Sequence, residues 1–249
     1  MRQHPSKIVI NPAFKHLEDF VRRVPQIFSS EGRVIYKIRN EIRVFDVDGI
    51  EVNVKRYKVP FFLNRFVYRF FRKPKAVRAY EYALRLQSKG VNTPTPIAYL
   101  LYQEKGLLGY SYYISLQTAG QTLYEVGKAP VEEHEDIFKA LGVYLANLHE
   151  KGIYHADISP GNILYEKNQE QISFCLLDIN RMSFAPVSLK KGCANFARLW
   201  GREAAFHLMA ETYAATRGFE KDECLRWILY YRNRFWKKYS LKHPIEFEF

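Results

Sequence analysis

The hydrophobic pattern of this chain is mainly that of strands before residues 117–120 and mainly that of helices after them, and this division limits the folds that the chain can adopt. Before it, apolar and polar residues alternate, as at Val34, Tyr36 and Ile38, which is the period of half-buried strands. After it, from residue 131, apolar residues recur every three or four positions, as in an amphipathic helix. The sequence therefore predicts an α+β fold of two lobes: residues 1–117 rich in strands and residues 118–249 mainly helical.

Turn residues and helix boundary residues place the elements within each lobe. Residues 33–59 predict three strands, and Asp48-Gly49 is a strong hairpin signal. Pro74 and Gly90 bound an Ala- and Leu-rich segment that predicts a helix. The other predicted elements are strands within 97–102 and 110–116, a helix from 131 to 152, a hairpin over 163–177 and two helices after 195 separated near 218.

Composition narrows the class of protein and its partners. The chain has 249 residues, of which 47% are hydrophobic, enough to bury a sizeable core. Its 38 Lys and Arg residues against 26 Asp and Glu give a net charge of +12, which indicates an anionic partner. Three cysteines without CxxC spacing, and an N-terminus without the apolar core of a signal peptide, favour a cytoplasmic protein. No apolar run approaches the length of a membrane span, so any membrane association should be peripheral.

The segment YHADISPGNILY, residues 154–165, contains the most specific motif. Asp157 and Asn162 share a loop that leads directly into a strand, and Asp178 ends the next strand, in SFCLLDIN. Because a tight hairpin joins the two segments, Asn162 and Asp178 are expected to lie close together and to supply oxygen ligands for Mg²⁺. Asp157 would orient an acceptor hydroxyl and accept its proton, and His155 would brace the loop. Turn propensity alone also explains Asp and Asn in a loop, but the order of the surrounding elements favours the catalytic interpretation.

Lys55 and Glu81 are the candidates for holding nucleotide phosphates. Lys55 closes the third predicted strand, in VNVK, and Glu81 lies on the helix that follows. In kinase-like folds such a lysine holds the α- and β-phosphates, and the helix glutamate holds the lysine. Solvation explains either residue alone, whereas their order before the Asp157 loop predicts a functional pair. The turn Arg39-Asn40-Glu41 has no glycine, so the usual Gly-rich phosphate cover is missing.

The motifs HADISPGNILY, LLDINR and VNVK, with the run NRFVYRFFRKPKAVRAYEYALRL, resemble the lipopolysaccharide kinase (Kdo/WaaP) family. The resemblance extends from residue 33 to residue 235 and implies a two-lobed protein-kinase-like fold. It also implies ATP and Mg²⁺ as cofactors and transfer of the γ-phosphate to a sugar hydroxyl, of Kdo or heptose, in the lipopolysaccharide inner core. By the same resemblance, the link between the lobes, near Ser115 and Gln117, would bind the adenine. The implied partner is the core and lipid A glycolipid at the cytoplasmic face of the inner membrane.

Two further features concern the acceptor. Ala156 stands where regulated protein kinases carry the Arg that binds a phosphorylated activation loop, so a small-molecule or glycan acceptor is favoured over a protein. The stretch of residues 55–78 has basic and aromatic residues but, through that run, no acidic one, which suits an anionic membrane surface. Packing of the aromatic residues onto the lobe explains the stretch equally well. No recognised RNA or DNA module accompanies it, so no nucleic acid partner is expected.

Two alternatives remain open from the sequence. One is a RIO-like or small-molecule kinase with a soluble acceptor, because related loops occur in RIO, aminoglycoside and choline-type kinases. The other is a catalytically silent kinase fold that serves as a basic membrane- or nucleic-acid-binding module. Lys55, Asp157, Asn162 and Asp178 count against the silent module, which has no need of them. The sequence predicts no oligomeric state.

Overall fold

The computed structural model of the protein describes residues 5–38, 40–61, 65, 68, 71–104, 106–169 and 171–248. The chain divides into two compact units, Met1–Thr118 and Ala119–Phe249. The boundary falls within residues 117–120, where the hydrophobic period changes. Of the helices in the described ranges, none is long and apolar enough to cross a membrane.

Among the described residues, the first unit contains a six-stranded antiparallel sheet. Its strands are β1 (Lys7–Ile10), β2 (Arg33–Lys37), β3 (Glu41–Val47), β4 (Ile50–Tyr57), β5 (Pro96–Glu104) and β6 (Leu107–Leu116). Their order in the sheet is β1-β5-β6-β4-β3-β2. The three strands predicted within residues 33–59 and the two predicted after the helix are confirmed.

The turn Asp48-Gly49 joins β3 to β4. Asp48 and Gly49 have φ values of 54° and 80°, the two positive values that a type I′ hairpin turn requires. The Gly49 N–H donates a hydrogen bond to Asp46 Oδ1 at 3.1 Å, which closes the turn. The hairpin signal in the sequence is therefore confirmed, and this turn sets the register of β4.

Helices cover both faces of this sheet. Helix α1 (Glu18–Ile27) packs on a cluster that includes Val54, and helix α2 (Lys75–Gln87) packs on a cluster that includes Tyr57. Because side chains alternate along a strand, Lys55 lies on the same face of β4 as Tyr57, the face covered by α2. The sequence predicts α2, whereas β1 and α1 lie in an N-terminal segment for which no element was predicted.

The second unit combines helices with short strands. The helices are α3 (Tyr124–Lys128), α4 (Glu135–Glu150), α5 (Leu189–Cys193), α6 (Glu203–Arg217) and α7 (Lys221–Ser240). The strands are β7 (Gln121–Thr122), β8 (Ile153–His155), β9 (Ile163–Asn168), β10 (Gln171–Leu176) and β11 (Met182–Phe184). The predicted helix from 131 to 152, the hairpin and the two last helices are confirmed. Helices α4 and α6 approach closely at Gly142, where a Cβ would lie 2.1 Å from Thr212 Oγ1.

Strand pairing positions the loop of interest. In the second unit β9 pairs with β10 and also with β7, while β11 pairs with β8. Residues 156–162 therefore connect two strands that are each held by a neighbour. Because both ends of this connection are anchored in paired strands, its backbone holds the side chains of residues 156–162 in defined positions.

Candidate functional site

Asp157 follows β8 in the loop of residues 156–159, before a 3-10 turn (Pro160–Asn162) leads into β9. The neighbouring Ala156 N–H donates to the Arg181 carbonyl at 3.0 Å, which extends the pairing of β8 with β11. The Asn162 Nδ2 donates to the Asp157 carbonyl at 2.8 Å and closes the loop on itself. Asp157 and Asn162 are thus brought together by the backbone of one tight turn.

His155 braces this loop from below, in agreement with the role predicted for it. The Asp157 N–H donates to His155 Nδ1 at 3.1 Å, so the ring proton is on Nε2, which lies 2.9 Å from the Leu177 carbonyl. The side chain is 1% exposed, and burial lowers the pKa of His155. The imidazole therefore acts as a neutral link between the Asp157 loop and the end of β10.

Asn162 and Asp178 lie at the open end of the β9–β10 hairpin. Ile163 pairs with Leu176, and the Leu177 N–H donates to the Asn162 carbonyl at 2.9 Å. Asp178 follows at once with a left-handed backbone, φ 48° and ψ 44°, and its Oδ1 accepts a hydrogen bond from Asn180 Nδ2 at 2.5 Å. The pairing brings Asn162 and Asp178 to one corner, as the sequence predicts.

Two arginines contact the Asp157 carboxylate, and the sequence did not indicate either as a site residue. Arg198 Nη1 donates to Asp157 Oδ1. Arg181 Nη1 lies 3.4 Å from Asp157 Oδ2. The Asp157 side chain is only 16% exposed, whereas those of Arg181 and Arg198 are 49% and 43% exposed. The partly buried carboxylate is therefore covered by two cations that reach the solvent.

A buried hydrogen-bond chain, hereafter the His149 network, holds the loop from the helices. Asn195 Nδ2 donates to the His155 carbonyl at 2.8 Å, and Asn195 Oδ1 accepts from His149 Nε2 at 3.0 Å. His149 Nδ1 then accepts from the Tyr213 hydroxyl at 2.9 Å, which in turn accepts from Arg217 Nη1 at 2.9 Å. Burial lowers the pKa of His149 to about 4, so its ring is neutral near pH 7.

In the first unit, Lys55 and Glu81 have different neighbours from the predicted ones. Lys55 pairs with Ile42 and Tyr113 in the sheet register, and its Nζ lies 5.3 Å from the Tyr57 ring centroid. The Glu81 carboxylate accepts hydrogen bonds from Lys73 Nζ at 2.8 Å to each oxygen. These hydrogen bonds raise the pKa of Lys73. Among the described residues, the lysine that holds Glu81 is Lys73.

The predicted adenine-binding residues lie at the end of β6. The Ser115 side chain is buried, and its backbone lies between Asn53 on β4 and Pro96 on β5. The Gln117 N–H donates to the Glu51 carbonyl at 2.9 Å, and its side chain accepts from Asn53 Nδ2 at 2.8 Å. The Gln117 N–H is thus bonded within the sheet, and among the described residues no group donates to the Gln117 carbonyl.

Part of the basic stretch at residues 55–78, and the first residue of the glycine-free turn, lie outside the described residues. The positions concerned are Arg39, Phe62, Leu63, Asn64, Phe66, Val67, Arg69 and Phe70. Of the described aromatic residues in the stretch, Phe61 and Phe71 are 77% and 86% exposed, whereas Tyr57 is 3% exposed. The described part of the stretch therefore contains both packed and solvent-facing aromatic side chains.

The order of a strand-rich unit, a loop with Asp157 and Asn162, and a strand followed closely by Asp178 is that of a protein-kinase-like phosphotransferase. The profile of the lipopolysaccharide kinase (Kdo/WaaP) family matches residues 29–231, and the chain belongs to this family. It is therefore a lipopolysaccharide kinase. No curated protein sequence matches the chain.

One solved structure supports the fold. WaaP in complex with acyl carrier protein is similar with a TM-score of 0.65 and 17% identity, over 95% of this chain and 100% of that chain. The Rio2 kinase from Chaetomium thermophilum, in an ADP/Mg²⁺-phosphoaspartate complex, gives a TM-score of 0.43 and 15% identity, over 96% of this chain and 65% of that one. A Mycobacterium tuberculosis PknI kinase domain gives 0.41 and 14%, over 74% of each chain. The two weaker similarities carry no argument about this chain.

Proposed function

We propose that this kinase transfers the γ-phosphate of ATP, with Mg²⁺, to a sugar hydroxyl of Kdo or heptose in the lipopolysaccharide inner core. The observation that carries the proposal is the Asp157 loop. Asn162 is bonded to the Asp157 carbonyl, and the hairpin brings Asp178 to the same corner. The loop thus places a carboxylate that can accept a proton beside two side chains that could bind a metal ion through oxygen. Phosphoryl transfer requires this arrangement of the protein.

The corner formed by Asn162 and Asp178 fits a magnesium ion. Asn162 uses its N–H, its carbonyl and its Nδ2 in protein hydrogen bonds, and within the described ranges no group donates to its Oδ1. Mg²⁺ takes few protein oxygens and keeps water and phosphate oxygens as its other ligands. The bound ion would neutralise phosphate charge, while Asn162 Oδ1 and the Asp178 carboxylate would hold it.

Asp157 would orient the acceptor hydroxyl with one carboxylate oxygen and take its proton as the phosphoryl group is transferred. His155 and Asn195 keep that carboxylate in place through the loop backbone. Lys55 would bind nucleotide phosphates, with Glu81 as its partner after Glu81 leaves Lys73. The carbonyl of Gln117 and the backbone of Ser115 would contact the adenine.

The kinase would work at the cytoplasmic face of the inner membrane, as a peripheral protein. A net charge of +12 and the exposed Phe61 and Phe71 within a basic stretch support this placement. The similar WaaP structure is a complex with acyl carrier protein, so a protein partner is included in the proposal.

Phosphate transfer from ATP with Mg²⁺ to purified core glycolipid tests the residue roles. Asp157→Ala and Asp178→Ala should each lower turnover by about 100-fold or more. Asp222→Ala, a change of the same type at an exposed position on α7, should leave turnover unaltered. Equal activity in all four proteins would refute the assignment. An unchanged phosphate count in lipid A-core from a deletion strain, measured by mass spectrometry, would remove the inner-core acceptor.

A further inference from the structure

The Asp157 carboxylate carries one negative charge and is contacted by two positive ones. Arg181 ends a 3-10 turn (Ile179–Arg181), and Arg198 follows another (Ala194–Phe196), so the two cations come from separate segments. No residue from Ile158 to Asn162 is basic, so the loop itself supplies no cation. The two cations therefore exceed the single charge of the Asp157 carboxylate. The other acidic residue at this corner, Asp178, is assigned to Mg²⁺ in the proposed function.

Stability explains one arginine beside Asp157 but not two. The Asp157 side chain is only 16% exposed and needs a counter-charge, whereas Arg181 and Arg198 are 49% and 43% exposed, so a second such pair contributes little to folding. The backbone and the His149 network already hold the loop. A second half-exposed arginine on one carboxylate adds charge where a structural pair would need only one, which points to a ligand.

Arg198 has the geometry to bind an anion as a fork. Its guanidinium carbon lies 5.1 Å from the Phe235 ring centroid, so the aromatic ring on α7 supports the guanidinium group. One N–H group bonds Asp157, and in the described part of the chain no protein acceptor takes the others. A guanidinium presents five N–H donors in a planar fork that matches carboxylate or phosphate oxygens.

We propose that Arg198, assisted by Arg181, binds an anionic group of the acceptor glycolipid beside the hydroxyl that is phosphorylated. The anion is a sugar carboxylate or a phosphate ester. Arg198 is then a specificity-determining residue that selects an acidic sugar over a neutral one, and in the absence of acceptor it pairs with Asp157. This inference rests on the proposed function, because it requires Asp157 to face the acceptor.

The second guanidinium group, which Asp157 alone does not neutralise, makes the site select an acidic acceptor. When an acidic acceptor binds, its anion compensates the second guanidinium and leaves Asp157 an oxygen for the hydroxyl. A neutral sugar leaves one guanidinium without a counter-charge, and sites built for a polar group reject analogues that lack it. Of the two sugars considered above, the acidic Kdo fits this site and an unmodified heptose does not.

The test measures kcat and KM with three acceptors: lipid A carrying Kdo, the same glycolipid with the Kdo carboxyl reduced to an alcohol, and the same glycolipid with its phosphates removed. Arg198→Ala should raise the KM for the native acceptor by about 10- to 100-fold and leave the KM for ATP unchanged. Arg198→Lys should restore part of the loss, since it keeps the charge without the fork. Arg202→Ala is the matched control, because Arg202 is similarly exposed and pairs with Glu248.

The comparison of the three acceptors identifies the anion that Arg198 binds. If carboxyl reduction raises the KM of the wild type and cancels the effect of Arg198→Ala, Arg198 binds a carboxylate; if phosphate removal does so, it binds a phosphate ester. Either result supports the inference. An equal loss with all three acceptors, or a rise in the KM for ATP, overturns it and leaves the proposed function standing. A wild type that phosphorylates none of the three but does phosphorylate a heptose-extended core overturns the inference alone. One that phosphorylates neither refutes the proposed function and the inference together.

Discussion

The Asp157 loop in the second unit and Glu81 in the first are both parts of the predicted chemistry, yet the protein holds them differently. His155, Asn195 and His149 are 1%, 6% and 2% exposed. Glu81 and its partner Lys73 have side chains that are 40% and 63% exposed. The Asp157 loop is fixed by buried hydrogen bonds, whereas Glu81, proposed to act on the nucleotide side, is held by a contact that water and salt can compete with.

The buried hydrogen bonds at the Asp157 loop and the exposed Lys73–Glu81 ion pair differ in how easily they can be broken. A buried, fully bonded chain of polar groups is costly to disrupt, because each group left without a partner keeps its desolvation penalty. An exposed ion pair can exchange partners at little cost. The Asp157 loop is therefore held in one arrangement, whereas Glu81 can exchange its partner.

The largest effect is expected from Asn195→Ala. The change leaves two buried groups, His149 Nε2–H and the His155 carbonyl, without partners and should lower the free energy of unfolding by about 4 kcal/mol. Turnover should also fall, because the loop that carries Asp157 loses its support. Urea unfolding measures the first effect and a phosphate-transfer assay the second. Asn168→Ala, at the exposed end of β9, is the control, and equal stability of the two variants would contradict the role given to the His149 network.

The pH dependence of stability is the next largest effect. Burial lowers the pKa of His149 from 6.5 to about 4, so between these values the unfolded chain binds a proton that the folded chain does not. The contribution of His149 to the free energy of unfolding is fully present above the pKa that it has in the unfolded chain. As the pH drops toward its pKa in the folded chain, the free energy of unfolding falls by up to about 3 kcal/mol. His155, whose pKa burial also lowers, acts in the same direction.

Urea unfolding at about pH 7 and about pH 4.5 measures this loss. Acidic groups also titrate in the interval, so the informative comparison is with His149→Gln, which removes the imidazole and keeps a polar side chain. The loss between the two pH values should be smaller in this variant. The same loss in both proteins would mean that carboxylates, rather than His149, set the acid limit.

Local signals explain what the sequence could predict. Asp48-Gly49 specifies its hairpin through backbone conformation alone, and the Asp157 loop is recognisable because Asn162 and the strand that follows lie within a few residues. The corner of Asn162 and Asp178 could be predicted because a hairpin joins them.

Tertiary contacts explain what could not be predicted. Arg198 lies 41 positions from Asp157 and Asn195 lies 40 from His155, so no pattern of spacing connects them. Strand β1 has only four residues, too few to display alternation, and α1 contains Pro25, which in a sequence indicates the end of a helix. Whether Glu81 pairs with Lys55 or with Lys73 depends on the positions of the lysine side chains in the fold, which composition does not encode.

The smallest effect on stability is expected from Lys73→Ala. Because the pair with Glu81 is exposed, its loss should change the free energy of unfolding by less than about 1 kcal/mol. The released Glu81 becomes available to Lys55, which lies on the face of β4 that α2 covers. We therefore expect the KM for ATP to fall by about two- to threefold, whereas Glu81→Gln should raise it.

A matched control is Lys139→Ala, which removes an equally exposed pair, with Glu135 at 2.8 Å, in the second unit. It should leave the KM for ATP unchanged. If Lys73→Ala instead raises the KM for ATP as much as Lys55→Ala does, Lys73 itself binds the nucleotide. Glu81 would then hold Lys73 in place. The phosphate-binding role would belong to Lys73, before α2, rather than to Lys55 on β4.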